Sequence, residues 1–332
     1  MVKDRQSSRP RVTIIGNTSW GNTLGAVLGE KGVEVRLWTR SEAEAQELSQ
    51  GRRNYSSTSC LQEALSEANL VIWVVPSQKL RENVAQARGY LTNSMLLMSA
   101  AKGLEAHSGK RMSQVLAEEI ASSMTGHLCV LSGPNLAGEI AQGLPAATVI
   151  ASHDVALAEK ARKLMESPKF VISTSDDVIG VELGGALKNI IALGAGMMDG
   201  LGLGDNAKGA FIAWGWTEVV SLGVALGARA DTFYGLAGLG DLITTCASTL
   251  SRNHNVGYEL ARGRSLSEIS ASMSHVAEGV ATTAAAHRLA ENQGLRLPIL
   301  DLIQGVLFEG LAPSRALTAF RKLASNHYCS AD

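Results

Sequence analysis

The feature that most constrains the fold is a series of short apolar runs, rich in β-branched residues, in the first half of the chain. These runs fall at residues 11–16, 32–40, 69–76, 95–98, 128–131, 147–150 and 170–172. Segments with helical periodicity lie between them. Continuous apolar strands belong inside a parallel sheet covered on both faces, and alternating strands and helices build a doubly wound α/β domain. We predict that fold class here.

The pattern changes after the acidic pair at residues 176–177. From there to the end, apolar residues recur at helical spacing and the breaks fall at Gly and Pro. A chain of 332 residues also exceeds the usual size of one domain. We therefore predict three parts: a flexible tail at residues 1–10, the α/β domain at residues 11–177 and an all-α domain at residues 178–332.

Composition and charge exclude several classes of protein. Apolar residues make up 45% and charged residues 18% of the chain, and the formal net charge is -1. These values indicate neither a disordered chain nor a nucleic-acid-binding protein. The four cysteines are far apart and no histidines cluster, so neither a zinc site nor a disulfide framework is indicated. We expect a cytoplasmic protein without a bound metal.

Two patterns concern membranes. The amino-terminal tail is polar and lacks the apolar core of a signal peptide. No apolar run in the sequence approaches the ~20 residues that are needed to span a bilayer. We therefore expect no membrane insertion.

The first predicted strand ends in Gly16, and Gly21 and a helical pattern follow it. A strand, a tight turn and a helix offer free backbone N–H groups and a positive dipole end to a pyrophosphate, as in Rossmann-like dinucleotide-binding domains. Thr18 stands where the dinucleotide motif has its second glycine. A dinucleotide site and a plain strand-turn-helix connection both remain open at this point.

The end of the second predicted strand bears on the choice of cofactor. An acid at this position favours a free ribose 2′-hydroxyl, whereas a nearby arginine accommodates a 2′-phosphate. The sequence has Trp38, Thr39 and Arg40 there, with no Asp or Glu. NADP is therefore favoured over NAD, although Arg40 could equally be a solvated charge that stacks on adenine.

A single lysine interrupts an apolar helical pattern at residues 181–198. On a helix, Lys188 has Gly184 and Gly185 among its neighbours one turn away, so another molecule could approach the backbone there. Burial would lower the pKa of the Lys188 ammonium, which suits an acid/base group for interconverting an alcohol and a ketone. The alternative is a lysine whose stem packs while its head reaches water.

Two loops follow predicted strands at the edge of the sheet where ligands collect. Lys102 stands beside Gly103 in one loop, and Gly133 lies close to a predicted helix start in the other. A cation and free backbone N–H groups suit an anionic substrate. Either loop could instead be an ordinary turn, because Lys-Gly and Gly-Pro pairs are common.

Two polar clusters in the second half are further candidates. Asp241 ends a glycine-rich turn at a predicted helix start, where it could bind a ligand or act as an N-cap. Ser251, Arg252 and Asn253 place a hydroxyl, a guanidinium and an amide side by side, which can satisfy several phosphate oxygens. An exposed polar turn would explain the same three residues.

Together these motifs resemble the bacterial-type NAD(P)-dependent glycerol-3-phosphate dehydrogenase family from about residue 12 to residue 310. Four blocks carry the resemblance. They are residues 16–21 with Trp20, residues 99–103, residues 181–189 with residues 202–206, and residues 235–241 with residues 251–253.

The resemblance implies a reaction and a substrate site. It implies reversible hydride transfer between dihydroxyacetone phosphate and sn-glycerol 3-phosphate, which supplies glycerophospholipid synthesis, with Lys188 as the catalytic acid/base group. Residues implied to bind the small phosphorylated substrate are Lys102, Gly133, Asn135, Lys188, Asp241, Ser251, Arg252 and Asn253.

The resemblance also implies a cofactor site and an assembly. Residues implied to bind NADP or NAD are Gly16, Ser19, Trp20, Gly21, Arg40, Lys102, Ala137, Arg252, Val276 and Glu278. Members of the family are commonly cytoplasmic homodimers, so we expect the same here.

The sequence departs from the family pattern at four positions. Thr18 replaces a usual glycine, Asn135 a usual Ser or Thr, Leu136 a usual aromatic residue, and Trp214 an arginine that is often present. Two other functions remain open. One is a hydroxyacid dehydrogenase of the same two-domain architecture that binds a carboxylate with Arg252. The other is a non-catalytic nucleotide-binding regulator, for which Thr18 is the hint.

Overall fold

The computed structural model describes residues 9–51, 53–273 and 276–327. Most of the predicted flexible tail, residues 1–8, lies outside the described residues. Within them the chain forms one mixed sheet flanked by helices, followed by a helical region.

The sheet has eight strands in the order β3-β2-β1-β4-β5-β6-β7-β8. The strands are β1 (Arg11–Ile15), β2 (Glu34–Trp38), β3 (Ser56–Thr58), β4 (Leu70–Trp73), β5 (Leu96–Ser99), β6 (Leu128–Ser132), β7 (Ala146–Ala151) and β8 (Phe170–Ser175). All neighbouring strands are parallel except β6 and β7, which pair antiparallel. The antiparallel pair and the polar strand β3 were not predicted.

Helices cover both faces of this sheet, which confirms the predicted doubly wound α/β fold. They are α1 (Ser19–Glu30), α2 (Glu42–Gln50), α3 (Leu61–Leu65), α4 (Leu80–Ala87), α5 (Met112–Glu119), α6 (Ala137–Ala141) and α7 (Val155–Met165). Side chains of β1 alternate between two apolar clusters: Val12 and Ile14 belong to one cluster, and Ile15 belongs to the other. This alternation is what a strand with two covered faces requires.

The helical region begins immediately after the last strand. It contains α8 (Val178–Gly200), α9 (Gly204–Ala225), α10 (Asp241–Ala247), α11 (Arg252–Ala261), α12 (Leu266–Ser272), α13 (Glu278–Asn292), α14 (Pro298–Phe308) and α15 (Pro313–His327). Asp177 caps α8, because its Oδ1 atom accepts a hydrogen bond from Gly180 N at 2.9 Å. The helical character of this region confirms the predicted fold class. The domain boundary at residue 177 stays a prediction.

Helix α8 is the central element of the helical region. It is 23 residues long with a mean hydropathy of 1.5, so its length and composition would suffice to span a membrane, contrary to the expectation from the sequence. However, 89% of its apolar window is buried inside the fold. The helix therefore serves as a core helix, and its apolar character reflects neighbours on every side.

The glycines of α8 allow α11 to approach its backbone closely. A Cβ atom added to Gly196 would lie 1.9 Å from His254 O, and one added to Gly257 of α11 would lie 1.8 Å from Leu193 O. Real carbon and oxygen atoms cannot come this close. Glycine is needed for the contact that carries α11, and with it Arg252, to the side of α8.

Candidate active site

Lys188 lies on α8 and is only 5% exposed. Its Nζ atom donates hydrogen bonds to Asp241 Oδ1 at 2.6 Å and to the Thr245 hydroxyl. Lys102 reaches the same carboxylate from the loop after β5, and its Nζ atom lies 2.6 Å from Asp241 Oδ2. One carboxylate therefore bridges two lysines. The alternative in which the Lys188 head reaches water is wrong.

Burial changes the acid/base properties of Lys188. Desolvation is the main cause that lowers the pKa of its ammonium, to about 8, and the nearby Lys102 cation acts in the same direction. The Asp241 carboxylate opposes both effects because it stabilises the charged form. Lys188 can therefore both give and take a proton near neutral pH.

Asp241 is placed by a single turn of π-helix at Leu236–Gly240, directly before α10. It is the first residue of α10, and each of its carboxylate oxygens binds a lysine. Its interpretation as an N-cap is therefore wrong, since Gly240 holds that position. The π turn is a rare element that often marks a functional site.

The glycines beside Lys188 contact the protein itself. A Cβ atom added to Gly184 would lie 2.9 Å from Ala237 O of the π turn, and one added to Gly185 would lie 2.1 Å from Ser132 Oγ. The expectation that another molecule approaches the helix backbone there is wrong. These glycines instead let the Asp241 turn and β6 close around the lysine.

Two residues of the site were missed by reasoning from the sequence. Thr245 lies one helical turn after Asp241, which is the spacing that puts both side chains on one face of α10. Asn189 follows Lys188, and its Oδ1 atom accepts a hydrogen bond from Asn253 Nδ2 at 2.8 Å. Spacing could have suggested Thr245, but no sequence pattern pairs Asn189 with Asn253.

The start of α11 offers a group of donors. Ser251 caps the helix by accepting a hydrogen bond from His254 N at 3.2 Å. Arg252 is exposed, and within the described residues its guanidinium makes no hydrogen bond or ion pair. Asn253 is held on both sides, because its Oδ1 atom also accepts from Gly279 N at 2.9 Å. The first-turn N–H groups and Arg252 together suit an anion.

The glycine turn after β1 brings α1 close to the sheet. Gly16 has φ +125, and a Cβ atom there would lie 2.5 Å from Val74 O. Thr18 is the N-cap of α1: its hydroxyl accepts from Gly21 N at 3.0 Å and donates to Val74 O at 3.1 Å. The departure at Thr18 therefore has a structural role, because it fixes the start of the helix.

Other predicted dinucleotide-binding residues of the first half lie at the starts of two helices, α1 and α6. Ser19 begins α1 and is exposed. Trp20 packs edge-on against Phe170, with ring centroids 6.2 Å apart. Ala137 begins α6, and its carbonyl accepts from Thr23 of α1 at 3.2 Å, which ties the two helix starts together.

The remaining predicted cofactor residues lie at separate positions. Arg40 is exposed just beyond β2, and Val276 is 51% exposed. Glu278 begins α13 and accepts hydrogen bonds from the backbone and hydroxyl of Ser77, which follows β4. Burial raises the pKa of Glu278, while the nearby Arg252 opposes that shift.

The structure thus brings the predicted site residues together unequally. Lys188, Asp241, Lys102 and Gly133 form one hydrogen-bonded cluster, since Lys102 also donates to Gly133 O at 2.7 Å. Asn253 binds Asn189, which follows Lys188 in the chain, but in the part of the chain that the structure describes no hydrogen bond joins this pair to the cluster. Within the described residues, no hydrogen bond or ion pair links Ser19, Arg40 or Val276 to the cluster. The roles of all these residues stay predictions.

Comparison with known proteins follows the same division of the chain. Residues 11–158 match the family described as NAD-dependent glycerol-3-phosphate dehydrogenase N-terminus, and residues 177–318 match its C-terminus. The chain belongs to the NAD-dependent glycerol-3-phosphate dehydrogenase family.

Similar proteins support this membership over nearly the whole chain. The chain is 51% identical to glycerol-3-phosphate dehydrogenase [NAD(P)+] of Dehalococcoides mccartyi (strain CBDB1), over 96% of this chain and 92% of that protein. It is 42% identical to the protein of the same name from Pelotomaculum thermopropionicum, over 96% and 94% of the two chains. The crystal structure of glycerol-3-phosphate dehydrogenase from Coxiella burnetii superposes with a TM-score of 0.89 at 30% identity, covering 95% of this chain and 99% of that one.

The described residues contain no group of three or more His, Cys, Asp or Glu side chains that could hold a metal ion. Cys246 is buried beside Lys188, and burial raises the pKa of its thiol to about 12. It therefore remains a neutral neighbour of the amine.

Proposed function

We propose that the protein is an NAD(P)-dependent glycerol-3-phosphate dehydrogenase that interconverts dihydroxyacetone phosphate and sn-glycerol 3-phosphate. The observation that carries this proposal is the buried Lys188 amine, which is held by Asp241 and lies on the helix that packs against the start of α11. An acid/base group and an anion-binding helix start therefore belong to one site. The family membership agrees with this chemistry.

The substrate phosphate binds at the start of α11. Arg252 supplies an uncommitted guanidinium, which can bind two phosphate oxygens at once. The first-turn N–H groups of α11 supply further donors, while Ser251 and Asn253 hold the turn in shape. A carboxylate would suit Arg252 as well, but the relatives that are 51% and 42% identical are named glycerol-3-phosphate dehydrogenase and give no support to the hydroxyacid alternative. The retained Lys188 argues against a non-catalytic regulator.

The dinucleotide binds across the start of α1. The close approach of Gly16 to β4 leaves the first turn of α1 at the carboxyl edge of the sheet, where its N–H groups can bind a pyrophosphate. One such group, Gly21 N, is already bound by Thr18. We propose that NADP is preferred over NAD, because Arg40 stands beyond β2 with no acid at the strand tip.

In the reduction of the ketone, Lys188 acts as the proton donor. A bound reduced nicotinamide supplies the hydride. Negative charge that develops on the carbonyl oxygen is stabilised by the Lys188 ammonium, which then protonates that oxygen. Asp241 and Thr245 hold the ammonium in place, and Lys102 adds a second positive charge beside them. Arg252 fixes the phosphate, which orients the reacting carbon.

The family membership also supports a proposal about the cellular setting. We propose a cytoplasmic homodimer without membrane insertion, in which residues 11–177 bind the dinucleotide and residues 178–332 complete the substrate site. Production of sn-glycerol 3-phosphate would supply glycerophospholipid synthesis.

A substrate panel tests this proposal. Purified protein is assayed with dihydroxyacetone phosphate and with small 2-oxo acids, each with NADPH and with NADH, by following the near-ultraviolet absorbance of the reduced cofactor. We expect turnover with dihydroxyacetone phosphate and none with the 2-oxo acids. Turnover of a 2-oxo acid alone would establish the hydroxyacid dehydrogenase instead, and no turnover with any pair would favour the regulator.

A further inference from the structure

The side-chain amide of Asn135 is fixed in one orientation by its neighbours. Thr148 is fully buried on β7, and its hydroxyl lies 2.9 Å from Ser132 O and 3.0 Å from Asn135 Nδ2. A carbonyl oxygen can only accept, so the single proton of the Thr148 hydroxyl goes to Ser132. Thr148 must therefore accept from Asn135, which requires the NH₂ group of the amide to face it.

This orientation leaves the other end of the amide without a partner. Asn135 Oδ1 is buried, and it accepts no hydrogen bond within the described part of the chain. A buried acceptor that stays unsatisfied is costly, so such atoms in native proteins usually have a ligand or water as partner. An amide oxygen repels phosphate oxygens. It can bind only a group that donates a proton, such as a hydroxyl.

Asn135 also lies beside the lysine cluster, because it is two residues from Gly133, whose carbonyl accepts from Lys102. Its loop borders two parts of the site: Gly133 O accepts from Lys102 at 2.7 Å, and a Cβ atom added to Gly240, directly before Asp241, would lie 3.9 Å from Pro134 Cδ. From Lys102 the hydrogen bonds continue through Asp241 to Lys188.

The donors that suit an anion lie at the start of α11, which packs against α8. Asn189, the residue after Lys188 on α8, accepts from Asn253, which lies beside the free guanidinium of Arg252. Arg252 therefore suits an anion, whereas the unsatisfied Asn135 Oδ1 suits a neutral hydroxyl. Dihydroxyacetone phosphate carries both groups, because its phosphate and its free hydroxyl lie on opposite sides of the carbonyl.

We propose that Asn135 determines substrate specificity by accepting a hydrogen bond from the hydroxyl of the three-carbon substrate that lies opposite the phosphate. This inference rests on the proposed function. It gives the amide a role that differs from binding phosphate, and it makes Thr148 a positioning residue that acts through Asn135.

The test compares two substrates that differ by this hydroxyl alone. Acetol phosphate carries a methyl group where dihydroxyacetone phosphate carries CH₂OH, and both have the ketone and the phosphate. Because a site built for a hydroxyl rejects the analogue that lacks it, we expect the wild type to favour dihydroxyacetone phosphate by about 10- to 100-fold in kcat/KM. In Asn135→Leu this ratio should fall toward one, mainly because the rate with dihydroxyacetone phosphate drops.

Thr148 variants provide a second test if Asn135→Leu fails to fold. Thr148→Val removes the anchor of the amide, so the substrate ratio should fall although Thr148 is not assigned to the substrate. Thr148→Ser keeps the hydroxyl and should retain the wild-type ratio.

Three results would overturn the inference. An unchanged ratio in both Asn135→Leu and Thr148→Val would show that the amide does not recognise the hydroxyl. Equal losses on both substrates would assign Asn135 to the phosphate, and equal losses with a raised KM for the dinucleotide would assign it to the cofactor. A distinct outcome is that the wild type fails to reduce dihydroxyacetone phosphate with NADPH and also with NADH. In that case the proposed function itself fails.

Discussion

At the scale of single residues, the site depends on one amine whose proton affinity is set by burial. Lys188 has a pKa of about 8, because desolvation outweighs its ion pair with Asp241. An isolated cation in an apolar helix suggested its role as acid/base group, and the family resemblance then implied that role. The contacts of Asn189 and the orientation of Asn135 were not predictable, because they depend on hydrogen bonds between residues far apart in the sequence.

The pH dependence of ketone reduction should report this amine. The ammonium is the active form, so kcat/KM for dihydroxyacetone phosphate should be level below about pH 8 and decline above it, following the lowered pKa of Lys188. Asp241→Asn removes the carboxylate that favours the charged form, so the decline should move to lower pH. A move to higher pH in that variant would contradict the assignment.

Arg252 should matter for substrate affinity more than for the chemical step. We expect Arg252→Ala to raise the KM for dihydroxyacetone phosphate by roughly 10- to 100-fold, because a charge-assisted pair with the phosphate is lost. Arg262→Ala is the matched control, since Arg262 is exposed at the other end of α11. A wild-type KM in the first variant would show that the phosphate is held elsewhere.

At the scale of elements, the glycines of α8 and α11 set how closely the two helices approach. The high glycine content of this region was noticeable in the sequence, but only the structure gives its reason at Gly196 and Gly257. Strands were predicted within a few residues because their apolar runs are continuous. Strand β3 was missed because its sequence, Ser56–Thr58, is polar and short. The antiparallel direction of β7 leaves no mark in a hydrophobic pattern.

Two glycine substitutions separate close packing from helix propensity. Gly257→Ala would place a carbon 1.8 Å from Leu193 O. We therefore expect this substitution to lower the free energy of unfolding by at least about 1–3 kcal/mol. In Gly209→Ala on α9, the added Cβ atom would meet nothing within 4 Å. This substitution should raise the free energy of unfolding by roughly 0.5–1 kcal/mol. Denaturant unfolding of both variants measures these changes. Equal effects in the two variants would refute the packing argument.

At the scale of the whole molecule, the site lies where the sheet and the helical region meet. Lys102 comes from a loop of the sheet, Lys188 comes from α8, and Asp241 binds both. Two further contacts join the same parts: Glu182 of α8 accepts from Ser113 N of α5 at 2.7 Å, and Glu278 accepts from Ser77 N at 3.0 Å. The architecture followed from sequence periodicity, whereas the meeting of Lys102, Lys188 and Asp241 was implied only by the family resemblance, which assigned all three to one substrate.

Cofactor choice is a property of the outer edge of the sheet. If Arg40 binds the 2′-phosphate, the wild type should use NADPH with a higher kcat/KM than NADH, and Arg40→Ala should lower that preference by about 10-fold through loss of a charge-assisted contact. Steady-state kinetics with each cofactor measure the ratio. A preference that is unchanged in Arg40→Ala would mean that Arg40 is only a solvated charge.

The central claim is that the Lys188 ammonium carries the proton of the reaction, and Lys188→Met tests it most directly because methionine fills the buried site without a charge. We expect kcat with dihydroxyacetone phosphate and NADPH to fall by about 10²- to 10⁴-fold, while the dissociation constant for NADPH, measured by fluorescence titration, stays close to that of the wild type. A variant that binds NADPH normally and reduces the ketone at the wild-type rate would contradict the claim.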